Sequence, residues 1–81
     1  ADATRIRAVV TQNLQRITRA PAAISGCTRI ARDLHVDSLG TAHLLFLLEE
    51  DLHLDVPLVQ VVDVVTVDDL VNKLLLLSSR L

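Results

Sequence analysis

The chain has a single aromatic residue, Phe46, and neither tryptophan nor tyrosine. Aromatic cages and base-stacking platforms need more than that, so a typical single-strand nucleic-acid reader is excluded. One cysteine, Cys27, permits no internal disulfide and no cysteine metal cluster. That removes the disulfide-stapled secreted class and makes a reducing, cytoplasmic compartment the expectation. The two glycines, Gly26 and Gly40, cannot build a phosphate-cradling glycine-rich loop. The longest uninterrupted apolar run covers only residues 44 to 48, against the roughly 20 residues that cross a bilayer, so a soluble chain with no membrane role is expected. Residues 1 to 7 include Asp2, Arg5 and Arg7 and no apolar stretch of signal-peptide length.

Basic residues are absent from residues 33 to 72, which carry nine acids. Residues 1 to 32 hold six arginines against Asp2, and Lys73 and Arg80 follow the acidic stretch, for a net charge of −2. The acidic stretch cannot neutralise itself locally. Either it offers a negative surface to a basic partner, which disfavours nucleic acid, or it pairs with the N-terminal arginines in the folded state.

Aliphatic residues are what the chain has in plenty: Leu, Val and Ile fill 31 of 81 positions. This length gives one domain, residues 1 to 81, with a small aliphatic core. Ile6, Val9, Val10, Leu14 and Ile17 recur every three or four residues with Arg5, Arg7, Gln12, Gln15, Arg16 and Arg19 between them, which predicts a first helix from residue 3 to about 18 that Pro21 stops. Residues 21 to 37 show no sustained period and read as a long connection pinned to the core by Ile24, Ile30, Leu34 and Val36, an unusual length to leave structureless. Asp37 or Ser38 can cap a second helix running to about residue 52. Leu44, Leu45, Leu48 and Leu52 share its inner face, whereas Phe46 falls with Glu49 and Glu50. Either the apolar run is buried on more than one side, or Phe46 is a docking knob with a charged rim.

Residues 53 to 57 read as an extended link into Pro57. Val59, Val61, Val62, Val64, Val65 and Val67 have strand propensity, but no partner strand is visible, so a short third helix or turn over residues 58 to 64 is preferred. Thr66 and Asp69 resemble a capping box, and Val67, Leu70, Val71, Leu74 and Leu77 continue a last helix to about residue 79. The fold class is therefore all-α: a small four-helix bundle with a long first loop and a short third helix, without repeats and monomeric.

Enzyme readings fail on spacing. Ser38 has Asp37 and His35 nearby but no Gly-x-Ser-x-Gly elbow, so a self-contained hydrolase is not supported. His35, His43 and His53 lack the spacing that places two imidazoles on one helix face, so no metal site is expected. Glu49 and Glu50 read as a solvated charged face with no catalytic role. A serine at a helix start remains, within the run Asp33, Leu34, His35, Val36, Asp37, Ser38 and Leu39.

That run resembles the modification site of the acyl carrier proteins. The likeness continues through the acid-rich end of the second helix, Leu48 to Leu52 in sequence, through Val56 and Pro57, and through residues 66 to 70, covering roughly residues 33 to 74. The resemblance implies that Ser38 receives a covalent 4′-phosphopantetheine from coenzyme A and that Asp37 and Leu39 are read by the phosphopantetheinyl transferase. It also implies that Glu49, Glu50 and Asp51 are part of the face read by other enzymes, of the acyltransferase and ketosynthase type. A carrier of this kind is a substrate of enzymes, holds an acyl chain as a thioester on the arm rather than on Cys27, and is no catalyst itself. An acyl chain is expected to slip between helices lined by Leu44, Leu48, Val64 and Leu74.

Two departures separate the chain from the fatty-acid carriers it resembles. Gly40 and His43 stand where acids are usual, and residues 58 to 62 have Leu and Val in place of acids. Both shift partner recognition towards apolar contact, with Phe46, Leu47, Leu58 and Val59 as the candidate partner-binding residues, and favour a polyketide-type carrier over primary fatty-acid synthesis. A peptidyl or aminoacyl carrier ranks lower, because Val36 and Asp37 replace the glycine-rich residues expected before its serine. An unmodified helical interaction domain is the remaining alternative.

Overall fold

A computed structural model describes residues 2–18 and 23–79. Helix α1, Ala3–Thr18, starts where the Asp2 carboxylate accepts the Arg5 N–H at 2.8 Å. Its buried face is the predicted one, with Ile6, Val10 and Leu14 fully enclosed and Val9 and Ile17 partly so. Arg19 and Pro21, the expected flank and stop of this helix, lie outside the described residues.

The first connection is less bare than its composition suggests. It contains a five-residue helix, α2, over Ile30–Leu34. The Asp33 carboxylate accepts the Arg29 N–H at 2.9 Å, which supports this turn from within. The other correction is tertiary. Residues 26 to 30 run antiparallel to residues 65 to 68 and share three backbone bonds: Ile30 N–H to Val65 O, Val67 N–H to Thr28 O and Asp68 N–H to Gly26 O. Among the described residues this single bridge, Arg29 opposite Thr66, replaces any regular strand. The connection's carbonyl and amide groups thus find partners without a sheet. Ile30 and Val36 are buried and Ile24 and Leu34 partly buried, as the sequence suggests.

Helix α3 is Ser38–Leu52, capped by Asp37, and ends at His53 in the left-handed conformation with φ 52°. The His53 N–H closes back onto Glu49 O, a C-terminal stop more often made by glycine. Leu44, Leu45 and Leu48, which share the inner face, are buried, whereas Leu47 is half-buried and Phe46 stays exposed, so the apolar run is not buried on every side.

After Pro57 a single 3-10 turn, Leu58–Val61, follows, shorter than the residues 58 to 64 expected. Gln60 N–H bonds to Pro57 O and Val64 N–H to Val61 O, both at the tighter i to i+3 spacing. The chain then extends because the Val65 carbonyl is engaged by Ile30. Helix α4, Val67–Ser78, starts in a full capping box between Thr66 and Asp69. α1 packs on both α3 and α4, and the 3-10 turn packs on α4. The core is aliphatic, and the fold is the all-α bundle read from the sequence.

Candidate functional site

Ser38 opens α3 and is exposed. The preceding chain reverses at His35, which is left-handed with φ 56°, and Val36 anchors the reversal by being buried. Asp37 is extended, and its Oδ1 accepts the Gly40 N–H at 2.8 Å. Thr41 N–H, in turn, bonds to the Asp37 carbonyl at 2.8 Å. The cap thus fixes the first turn, while a helix start directs its earliest N–H groups outward with the positive end of the dipole. A side chain at position 40 would place Cβ 3.1 Å from Val36 Cγ1, so Gly40 lets the reversal close against the helix. Its place in the run, taken from sequence as a lost acid, thus has a packing use.

Beside Ser38 lies an apolar cleft of about 340 Å³ between α2, α3 and the 3-10 turn. Ser38 and Thr41 contribute to one wall, with Ile30, Leu45, Leu58, Val62 and Val64 among the other lining residues. Leu44 and Val64 line it as expected. Leu48 and Leu74 are not in its lining; both are fully enclosed in the core. Ile30 is expected from sequence only as a core anchor, and neither it nor Thr41 or Val62 is expected in this cleft; the helix that carries Ile30 there is too short to leave a periodic trace.

The acids are distributed differently from a continuous negative face. Asp33 pairs with Arg29, Asp63 with Lys73 and Asp68 with Arg7. Glu49 accepts the Val56 N–H at 2.8 Å, Asp51 accepts the Asn13 side-chain amide at 2.9 Å, and Asp69 accepts the N–H groups of Val65 and Thr66. Those two N–H groups, Thr66 first, hold the Asp69 carboxyl below its ordinary value of 3.8, and the Arg29 backbone N–H does the same for Asp33. Glu50 and Asp55 are exposed. Of the other residues read as a partner face, Leu47 is half-buried, and Phe46, Leu58 and Val59 are exposed.

No described hydrogen bond joins Ser38 to His35 or His43, and the described residues contain no group of three or more His, Cys, Asp or Glu side chains that could hold a metal ion. Nor is any described helix long and apolar enough to cross a membrane. The geometry offers a solvent-facing hydroxyl, outward N–H groups at a helix start, and an adjoining apolar cleft.

The family model of the phosphopantetheine attachment site matches residues 5–74, and the chain belongs to that family. Its members carry the 4′-phosphopantetheine prosthetic group and work with transferases and biosynthetic enzymes; they are carriers rather than catalytic domains. No curated protein and no solved structure gives a significant match.

The residues present fit such a group. An exposed serine hydroxyl can take a phosphodiester without displacing any packed atom. The negative phosphate would then meet the N-terminus of α3, worth roughly 0.3 to 1 kcal/mol at an exposed site. The apolar cleft beside Ser38 provides somewhere for an uncharged chain to lie.

Proposed function

We propose that Ser38 is the attachment residue and that residues 1 to 81 act as one monomeric acyl carrier domain, serving polyketide biosynthesis or, failing that, fatty-acid biosynthesis. The observation that carries this reading is the exposed Ser38 hydroxyl at the first turn of α3, fixed by the Asp37 cap. When attached, the arm supplies a terminal thiol that holds a carboxylic acid as a thioester.

Everything else is positioning. Asp37 orders the first turn so that the hydroxyl faces solvent instead of competing for backbone groups. An ordinary serine is a weak nucleophile, so the base that takes its proton and the metal that steadies the phosphate belong to the transferase. Asp37 and Leu39 flank the reacting oxygen and meet that enzyme first. Later enzymes meet the exposed part of α3 and the 3-10 turn, including Phe46, Leu47, Leu58 and Val59, with Glu49, Glu50 and Asp51 at the far end of α3. Tethering keeps the cargo at high effective concentration near each enzyme, while the protein contact stays weak enough to release.

The polyketide preference rests on Gly40, His43 and the Leu- and Val-rich residues 58 to 62, which make the surroundings of Ser38 less acidic than those of the fatty-acid carriers the chain resembles. The decisive experiment is intact mass after incubation with coenzyme A, Mg²⁺ and a broad-specificity phosphopantetheinyl transferase. Wild type gains one phosphopantetheinyl group and Ser38→Ala gains none. A folded wild type that gains nothing would instead be an unmodified interaction domain. Mass spectrometry of the arm's cargo from the native host then separates acyl, polyketide and aminoacyl cargo.

A further inference from the structure

Although the sequence gives residues 33 to 72 nine acids and no Lys or Arg, the only one of them beside Ser38 along α3 is Asp37, whose carboxylate is engaged in the helix cap. Three of these acids sit in ion pairs. Four more accept hydrogen bonds from this chain: Asp37, Glu49, Asp51 and Asp69. After Asp37, the next acid along α3 is Glu49, eleven residues beyond Ser38, or roughly 16 Å at the helical rise. The three carboxylates at that end are therefore distant from the reacting oxygen, and two of them are already engaged.

Apart from Asp37 and Thr41, what flanks Ser38 is apolar and uncovered. Leu39, its neighbour, is 80% exposed, and Val62, across the cleft, is 74% exposed. At 100° per residue, Leu39, His43, Phe46 and Glu50 fall within about 60° of one another on α3. Ser38 lies between that stripe and the cleft, whose other rim carries Leu58 and Val62, both exposed. A protein that reaches the Ser38 hydroxyl approaches between Leu39 and the rim of Leu58 and Val62, and covering these side chains removes apolar surface from water.

We infer that the enzymes acting at Ser38 dock on this chain through an apolar surface of their own, seated on Leu39, Leu58 and Val62 with Phe46 at the margin, and not through a basic patch reading the acids. This rests on the reading of Ser38 as the attachment residue and specifies the chemistry of its partners. An apolar contact of this kind is insensitive to ionic strength, whereas ion-pair steering weakens steeply with salt.

The test is kcat/KM for loading by the transferase from coenzyme A. Leu39→Ser and Val62→Ser each lower it about tenfold, chiefly through KM, as expected for side chains at the centre of a contact. Both are surface changes, and unchanged helical circular dichroism confirms that the variants fold. Raising NaCl from about 0.05 to 0.5 M, and replacing Asp55 by Asn, each change it less than about twofold. A steep fall with salt, or a larger loss in Glu50→Lys than in Leu39→Ser, assigns docking to the acids and overturns the inference while leaving Ser38 as the attachment point. A concentration-dependent dimer in sedimentation that Leu39→Ser dissolves gives the face to a second copy and overturns it as well. A folded wild type that takes up no group at all defeats the attachment reading itself.

Discussion

Asn13 is the one buried polar side chain among the described residues. It sits on the face of α1 that otherwise holds Ile6, Val10 and Leu14, and its amide donates to Val9 O at 3.0 Å and to Asp51 Oδ2 at 2.9 Å. Burying an amide costs free energy unless it is paired, and here the pairing ties α1 to the end of α3. Asn13→Ala is expected to lower stability by about 1 to 3 kcal/mol, read from urea unfolding. Asp37→Ala removes the α3 cap at a cost of about 1 kcal/mol in the same assay and slows loading of Ser38. Neither Asn13 nor the inward use of Glu49 could be read from the sequence. Glu49 reaches Val56 N–H only because His53 reverses the chain between them, and periodicity does not report such a turn.

Helices long enough to show a period were legible before any coordinates: α1, α3 and α4 follow their apolar spacing, and Thr66 with Asp69 forms the capping box that their separation suggested. The short elements were not. Five residues of α2 give too few turns for a pattern, and the valines after Pro57 favour strand by propensity while the i to i+3 bonds there form a 3-10 turn. The α4 cap carries a pH consequence. Asp69 and Asp33 both have folded values lowered below 3.8 by backbone N–H groups. Their contribution is therefore complete above that value and is lost as pH falls through the lowered folded values, since protonation removes the charge that makes each carboxylate a strong acceptor. The melting temperature should drop as pH is taken below 3.8, and Asp69→Asn, with no carboxylate to titrate there, should drop less over the same window.

Across the whole molecule, a single aliphatic core holds three long helices together, and its size limits what can be lost. Leu48 is fully enclosed. Leu48→Ala should cost about 2 to 5 kcal/mol, a large share of the roughly 5 to 15 kcal/mol available to a small domain. A melting temperature within a degree or two of wild type would contradict that placement. That Ser38 stands exposed at the head of a helix was legible because Asp37 before it is a capping residue and the apolar pattern follows it in sequence. The cleft was only half legible, since Leu44 and Val64 were expected there but its opposite wall comes from Ile30, brought in by the tertiary path of the first connection.

That path has a mechanical outcome. The pairing of residues 26 to 30 with residues 65 to 68 acts as a buckle: Ile30 and Val64 can be drawn apart only by breaking main-chain bonds, not by turning a rotamer. On that side of the cleft the separation is therefore set by two clasped backbones, and deuterium uptake at the Ile30, Val67 and Asp68 amides would rise together whenever the clasp is undone.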